Sequence, residues 1–324
     1  TVYVKWQLSN FGGEQTGIRT PAELDAIRNN LAGNYYLENS IDMDGVDWLP
    51  IGNSTEPFTG SFDGKGNVIK NLSIIRANNK YVGLFGYSNS TITNVKITDA
   101  FYRPGYYTGG IVGFGSVSNS TWSGKINSGN LSSSSQYKTH YTGGIVGWGE
   151  ATGCSAYGEI EVILTTNQKT DIPLVGGIVG YVKSGGTISK CHANIVLIVN
   201  QKFSGYGEYY AAGITPGSEY ITVENCYVEG DLVVIKDSSS NSIPGYGYAM
   251  SWTMPLPLCS MEKPTIRYSY SGNVFYGEKK TTLISSEYQS RIFMVNMGWD
   301  EAIWCFGYGK PVFYGDGYIR VVYS

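Results

Sequence analysis

Gly110-Ile111-Val112-Gly113 decides the fold, because it does not stand alone. It recurs as Gly83-Leu84-Phe85-Gly86, Gly144-Ile145-Val146-Gly147 and Gly177-Ile178-Val179-Gly180, with a weakened copy at Gly213-Ile214-Thr215. The copies start 27, 34, 33 and 36 residues apart. A period of roughly 20–50 residues marks a solenoid, a propeller or an array, in which each repeat buries its apolar face against its neighbours.

A second segment recurs inside each repeat. Cys154-Ser155-Ala156-Tyr157-Gly158-Glu159-Ile160 aligns with 120–126, 191–197 and 226–232. Cys154, Ala156, Gly158, Ile160, Val162 and Leu164 are small or apolar, and the residues between them are mostly polar or charged. That alternation marks a half-buried strand. If equal positions stack, Ser120, Cys154, Cys191 and Cys226 form one column. Trp122, Ala156, Ala193 and Val228 form a second, and Ile126, Ile160, Leu197 and Leu232 a third. Parallel stacking of whole turns, about 4.8 Å apart, is the simplest geometry that does this. An all-β parallel β-helix is therefore expected. A propeller needs about four strands per blade of ~40–45 residues, whereas each repeat here shows two clear strands.

The ends of the chain read differently, as solenoid caps should. Thr20-Pro21-Ala22-Glu23 is a capping box with Pro at the first helical position. Leu24, Ile27 and Leu31 then predict one amphipathic helix over 21–32, ended by Gly33. A short helix is expected from Ser286-Glu287 to near Gly298, followed by short closing strands over 299–323. The expected division is an N-terminal segment with its capping helix at 1–35, stacked repeats at 36–275 and an irregular C-terminal cap at 276–324. The polar stretches 127–140, 165–171, 200–208 and 236–242 share one phase of the repeat and are expected to be loops on one edge.

Composition narrows the function. The 324 residues include 43 Gly and 27 Tyr, charged residues make up only 15%, and the net charge is −3. No basic field suits nucleic acid and no polybasic run suits an anionic membrane. The longest nearly uncharged apolar run, 172–182, is far short of the ~20 residues that span a bilayer. Disorder is disfavoured by 42% apolar and 14% aromatic residues. The chain begins at Thr1 without a basic start and apolar core, so a processed or trimmed product is expected. A monomer, or part of a longer chain, fits these features.

At the repeats the sequence resembles the GLUG-motif repeat proteins. The residues that carry the likeness are Tyr107-Thr108-Gly109-Gly110-Ile111-Val112-Gly113 and Asn225-Cys226-Tyr227-Val228-Glu229-Gly230. Upstream, Trp48-Leu49-Pro50-Ile51-Gly52 and Phe58-Thr59-Gly60-Ser61-Phe62-Asp63-Gly64 resemble the segment that precedes such repeats. Downstream, Gly298-Trp299-Asp300 and Gly309-Lys310-Pro311-Val312 resemble the closing segment. The resemblance implies a right-handed parallel β-helix on a secreted or surface-displayed bacterial protein, of a kind frequent in gut bacteria. Such repeats also occur in adhesin-like chains and beside IgA-specific metallopeptidases. The peptidase activity does not carry over. His140 and His192 are 52 residues apart and no His-Glu-x-x-His is present.

Cys154, Cys191 and Cys226 read as a buried ladder of small apolar thiols, because spacings of 37 and 35 residues match no zinc pattern. Cys259 and Cys305 lie outside the ladder. Glu159, Glu161, Glu229 and Asp231 share a predicted outer face. Two turns separate the pairs by ~9–10 Å, near the upper limit for an inverting glycosidase. Lys125 and Val196 beside Glu159 favour a solvated face instead. Asp42, Asp44 and Asp47 read as loop acids, since the EF-hand glycine and distal Glu are missing. No pattern calls for a catalytic residue, a cofactor or a metal.

Tyr87, Phe114, Trp148 and Tyr181 follow the glycine motif at one repeat phase. They are the candidate ligand-binding residues, because an exposed aromatic ladder suits a sugar or a protein anchor. A buried stack that braces the turns is the competing reading, since the surrounding strand is apolar on both faces. Tyr102, Tyr106, Tyr206, Tyr209, Tyr210, Tyr246 and Tyr248 are a second set, expected to be exposed. The function expected is a non-enzymatic surface or secreted module that binds a glycan or a host protein. A carbohydrate-active enzyme using the acidic face, and a passive spacer of a larger surface protein, are the alternatives.

Overall fold

The structure is a computed structural model. It describes residues 15–75, 80–130, 139–164, 172–201, 210–216 and 220–236, with short strands at 251–255, 265–267, 269–271, 274–276, 280–282, 304–306 and 311–313. Strands dominate these residues and lie mainly in three parallel sheets of five, ten and thirteen strands. The chain visits the sheets in turn. Tyr107–Gly109 lies in the five-stranded sheet, Val112–Ser118 in the ten-stranded sheet and Thr121–Asn130 in the thirteen-stranded sheet. The next pass repeats this with Thr139–Gly143, Val146–Thr152 and Ser155–Leu164. Each strand pairs in parallel with its counterpart.

The register follows the repeat. Trp122 is opposite Ala156, Ala156 opposite Ala193, and Ala193 opposite Val228. Ile126, Ile160, Leu197 and Leu232 continue in the same way. The first two columns are buried throughout, as are Ile126, Ile160 and Leu197. Removing this many apolar side chains from water drives the folding at about 25 cal/mol per Å2.

Cys154, Cys191 and Cys226 are fully buried. Backbone bonds join Ser155 N to Ser120 O, His192 N to Cys154 O and Tyr227 N to Cys191 O at 2.8–2.9 Å, which puts these residues at equal heights of successive passes. Each side chain makes the same bond. Ser120 Oγ donates to Ser118 O at 2.7 Å, and the Sγ atoms of Cys154, Cys191 and Cys226 donate to the carbonyls of Thr152, Ser189 and Glu224 at 3.2–3.4 Å. The position thus selects a small side chain with one donor, a hydroxyl in Ser and a weaker thiol in Cys.

The double glycines are set by close approach. A Cβ on Gly110 would collide with the main-chain oxygen of Gly144 and with the Trp122 ring. Tyr102, expected to be exposed, is fully buried. Its register explains the correction: it sits opposite Ile74 on one side and Ile126 on the other, in an inward column. Its hydroxyl donates to Gly110 O at 2.9 Å, which satisfies a phenol with no water around it.

The N-terminal helix forms where expected but is shorter. Pro21–Asp25 is α-helical and Ala26–Asn29 continues as a 3-10 turn. Thr20 Oγ1 accepts from Glu23 N at 3.2 Å, and Arg19 N donates back to Glu23 Oε2 at 2.6 Å. Leu24 and Ile27 are buried. Their spacing of three residues suits the tighter 3-10 turn. The chain leaves the helix at Asn30, whose carbonyl accepts from Gly33 N and from the Tyr35 hydroxyl. The strand Gln15–Ile18, ahead of the helix, already pairs in parallel with Asn34–Leu37.

Parallel order breaks late in the chain. Asp231–Lys236 pairs antiparallel with Ser251–Pro255, and antiparallel pairs follow at 269–271/274–276 and 274–276/280–282. Trp304–Phe306 and Pro311–Phe313 form an antiparallel pair within the stretch expected to hold closing strands. The helix expected over 286–298 and the polar stretches 165–171 and 202–208 lie outside the described residues, as do 131–138 and 237–242.

Candidate functional site

Val112, Val146 and Val179, the third residues of the glycine motif, turn inward and are fully buried. Two residues further on, side chains leave the core at the corner between the five- and ten-stranded sheets. Tyr87, Phe114, Trp148 and Tyr181 therefore come together as one column. Phe114 is opposite Tyr87 and Trp148, and Trp148 is opposite Tyr181. All four rings are half-buried. Tyr87 and Phe114 stack at 4.3 Å with planes 7° apart. Phe114 and Trp148 are 5.7 Å apart, and Trp148 and Tyr181 4.6 Å apart, both pairs tilted.

A second column, not selected from the sequence, runs alongside. Tyr81, Tyr107 and Tyr141 lie opposite one another in the five-stranded sheet, two residues ahead of Gly83, Gly109 and Gly143. They stack at 5.1 and 5.5 Å with planes within 10° of parallel. The two columns touch edge to face: Tyr81 on Tyr87, Tyr107 on Phe114 and Tyr141 on Tyr181, with Tyr141 tilted against Trp148 at 5.1 Å. The signal was in the sequence as a Tyr two places before the first motif copy, at Gly83, and three places before the next two, at Gly110 and Gly144.

Together these make a strip of seven half-buried rings. Its internal geometry limits what it can do. Stacking along the strip spends ring faces on neighbouring rings, so the strip offers mainly edges and hydroxyls. Burial pushes the Tyr141 hydroxyl up to about 12 and raises that of Tyr107 further, with Tyr106 adding to both. Both phenols are therefore neutral donors at physiological pH.

The other candidates are placed as follows. Tyr106 and Tyr210 are half-buried; Tyr106 packs on Tyr107, Tyr141 and His140. Tyr206, Tyr209, Tyr246 and Tyr248 lie outside the described residues, as do Cys259 and the side chains of Cys305 and Asp231. Glu159 is paired with Lys125 at 2.6 Å. Glu161 accepts from Asn127 at 2.7 Å and from Asn200 at 3.4 Å. Asp42 accepts from Asp44 N and Asn71 Nδ2, bonds that hold its carboxyl below the usual range and close a turn. Asp63 is likewise a turn residue: its Oδ1 accepts from Lys65 N at 2.8 Å. Among the described residues, no group of three His, Cys, Asp or Glu side chains is placed to hold a metal ion.

Sequence reasoning missed a polar cluster on the thirteen-stranded sheet. His192 is buried, 3.3 Å from the Tyr157 hydroxyl and 3.4 Å from Glu229 Oε2. Glu229 also accepts from Tyr227 at 2.9 Å and from Asn194 at 3.3 Å. Its members come from three passes, 35 and 37 residues apart, and meet only through the register.

The molecule is thus an all-β protein of stacked parallel passes with an aromatic corner. No family model matches the chain. A solved structure from Bacteroides ovatus, provisionally described as an immunoglobulin A1 protease, matches 93% of this chain and 93% of its own with a TM-score of 0.52 and 19% identity. That likeness is one of fold alone. A Gly-rich protein from Evansella cellulosilytica, provisionally described as a membrane protein, is 34% identical over 102 residues. Halomucin from Haloquadratum walsbyi is 37% identical over 123 residues. These alignments take in 27% and 33% of this chain but only 12% and 1% of the two relatives. Among the described residues no helix is long and apolar enough to cross a membrane.

Proposed function

We propose that the chain is a right-handed parallel β-helix of the GLUG-motif kind, and that it is a non-enzymatic binding module, secreted or displayed on a bacterial surface. Its aromatic corner engages a glycan or a host protein. The observation that carries this reading is the strip of seven rings left half-buried along one corner. A stack that only braced the turns would be expected to sit in the interior, where Trp48, Trp122 and Tyr102 sit. Rings that are partly wet and rigidly held present large contact area at low entropic cost, as binding surfaces do. The likeness to segments of halomucin and of a Gly-rich protein fits an extracellular setting.

The acidic face gives the enzymatic alternative little support, because Glu159 and Glu161 are engaged by Lys125, Asn127 and Asn200. The test is a combined array of glycans and host surface proteins, probed with the chain and with Trp148→Ala. Specific hits lost in the variant support the reading. No hits at high protein concentration, or hits indifferent to Trp148→Ala, would count against it and favour a spacer.

A further inference from the structure

Asn-x-Ser/Thr triplets start at Asn53, Asn71, Asn89, Asn119 and Asn130. Such a triplet is the acceptor for N-linked glycosylation where its amide sits on an exposed loop. The structure separates the five. Asn71 is half-buried, and its amide nitrogen donates to Asp42 Oδ1 at 2.8 Å. Asn119 is followed by Ser120 and Thr121, which are both buried, so the hydroxyl of that triplet is out of reach. Asn89 is exposed but lies inside the strand Phe85–Thr93, where Ser90 N turns to Ser88 Oγ at 3.1 Å. The residues that follow Asn130 lie outside the described ones.

Asn53 differs from all of these. It opens the exposed loop 53–56, which is held between the fully buried Ile51 and Phe58. Asn53 N donates to Glu56 O at 3.0 Å and closes the loop. Asn53 Oδ1 accepts from Thr55 N, Thr55 Oγ1 and Glu56 N at 2.6–3.0 Å. The hydroxyl of the third residue is thus bonded to the amide of the first. Three donors on Oδ1 draw the amide electrons towards oxygen and make the Nδ2 protons more acidic. All three bonds fall on Oδ1, so Nδ2 is left facing outward. There is also room beside it. Asn53 and Ser54 wall an open cleft of about 390 Å3 that reaches Tyr81, the first ring of its column. Tyr107 covers one face of that ring and the Lys80 ammonium lies over it at 5.2 Å, so the cleft has no aromatic seat to offer. Its apolar lining is Leu31, Pro50 and Leu49, the last 44% exposed.

We propose that Asn53 is a site of N-linked glycosylation, with an oligosaccharide carried on a polyprenyl diphosphate as the donor. Nδ2 attacks C1 of the first sugar. The Nδ2–C1 bond forms and the C1–O bond to the diphosphate breaks. The polyprenyl diphosphate leaves with that electron pair, and the Nδ2 proton passes to a basic group of the transferring enzyme. Nothing is oxidised or reduced. The attached sugar has the cleft to enter and covers Leu49 there. The proposal rests on the extracellular setting in the proposed function, and does not need the aromatic corner to bind anything.

The test is peptide mass spectrometry on the folded full chain after incubation with a single-chain oligosaccharyltransferase that accepts the triplet, and with its lipid-linked oligosaccharide. The Asn53 peptide should gain the glycan mass. It should exceed the Asn71 peptide by about tenfold or more, the cost of breaking a hydrogen bond to a carboxylate. Thr55→Ala should abolish the modification, and Thr55→Ser, which restores the hydroxyl, should keep it. The chain recovered from its own cells should carry a glycan on the same peptide. A bare Asn53 in either preparation, modification no greater than at Asn71, or modification that survives Thr55→Ala would each overturn the proposal. Array binding that depends on Trp148 in a chain whose Asn53 stays bare would remove the glycosylation alone. A glycan on Asn53 without any array hit would remove the binding-module reading alone.

Discussion

The inner cysteine column and the outer tyrosine column are made by the same repeat at the same rise, yet they have opposite characters. Inside, Ser120, Cys154, Cys191 and Cys226 are small, fully buried and hydrogen-bonded to a carbonyl two residues back. Outside, Tyr81, Tyr107 and Tyr141 are large, half-wet and held by one another, by the neighbouring rings and, at Tyr81, by the Lys80 ammonium. Repetition alone is therefore no sign of function, since it builds the core equally well. Repetition of costly aromatic surface where water reaches it is the informative case.

The contrast can be broken most severely from inside. Trp122→Ala should cost about 3–5 kcal/mol in urea unfolding, because a fully buried indole leaves a cavity. Gly110→Val presses on the same ring and on the Gly144 carbonyl from the other side, and should cost about 1–3 kcal/mol or more. Equal and small effects from both would mean that the interior is loosely packed. Trp148→Ala, half-buried, should cost about 1–2 kcal/mol by the area it covers, while abolishing array binding. A larger stability loss than that of Trp122→Ala would make the strip a structural brace.

The tyrosine column is also open to titration. Burial raises the folded-state pKa of Tyr141 from the ordinary phenol value of 10.0 to about 12. The stability it contributes is fully present below pH 10 and is lost as the pH rises towards 12, because the unfolded phenol ionises first. Tyr141→Phe should flatten this alkaline loss in pH-dependent urea unfolding; an unchanged slope would show that the hydroxyl is solvated. Cys191→Ser should change stability by about 1 kcal/mol or less, because Ser120 makes the same bond in the same column. Burial raises the Cys154 and Cys191 thiols, so native protein should resist iodoacetamide at both. The smallest effect belongs to Lys125→Ala, whose half-exposed ion pair should be worth under about 1 kcal/mol in the same unfolding experiment.

The columns were legible because the spacing of the copies carries the register: once Gly110 is set over Gly144, the strand residues from Val112 to Asn127 find their partners at one constant offset, which shifts only before Asn130. Tyr87, Phe114, Trp148 and Tyr181 could be aligned from sequence for that reason. Their half-exposure could not, because the strand is apolar on both sides and only the corner geometry turns these rings outward. Tyr102 failed for the converse reason, since nothing in its own neighbours shows that it faces Ile74 and Ile126. The cluster of Tyr157, His192 and Glu229 was invisible because it breaks the repeat, with each residue appearing once in its column. The cleft under Tyr81 uses 49–56, a segment ahead of the repeated motif, so periodicity had nothing to say about it.

The matched register has a genetic consequence. Residues 110–143 start and finish at equivalent points of successive passes, so a single in-frame duplication or deletion of that length would join identical backbone positions. Lineages could lengthen or shorten the molecule one storey at a time, extending or trimming the aromatic corner while the cleft at its first ring stayed intact.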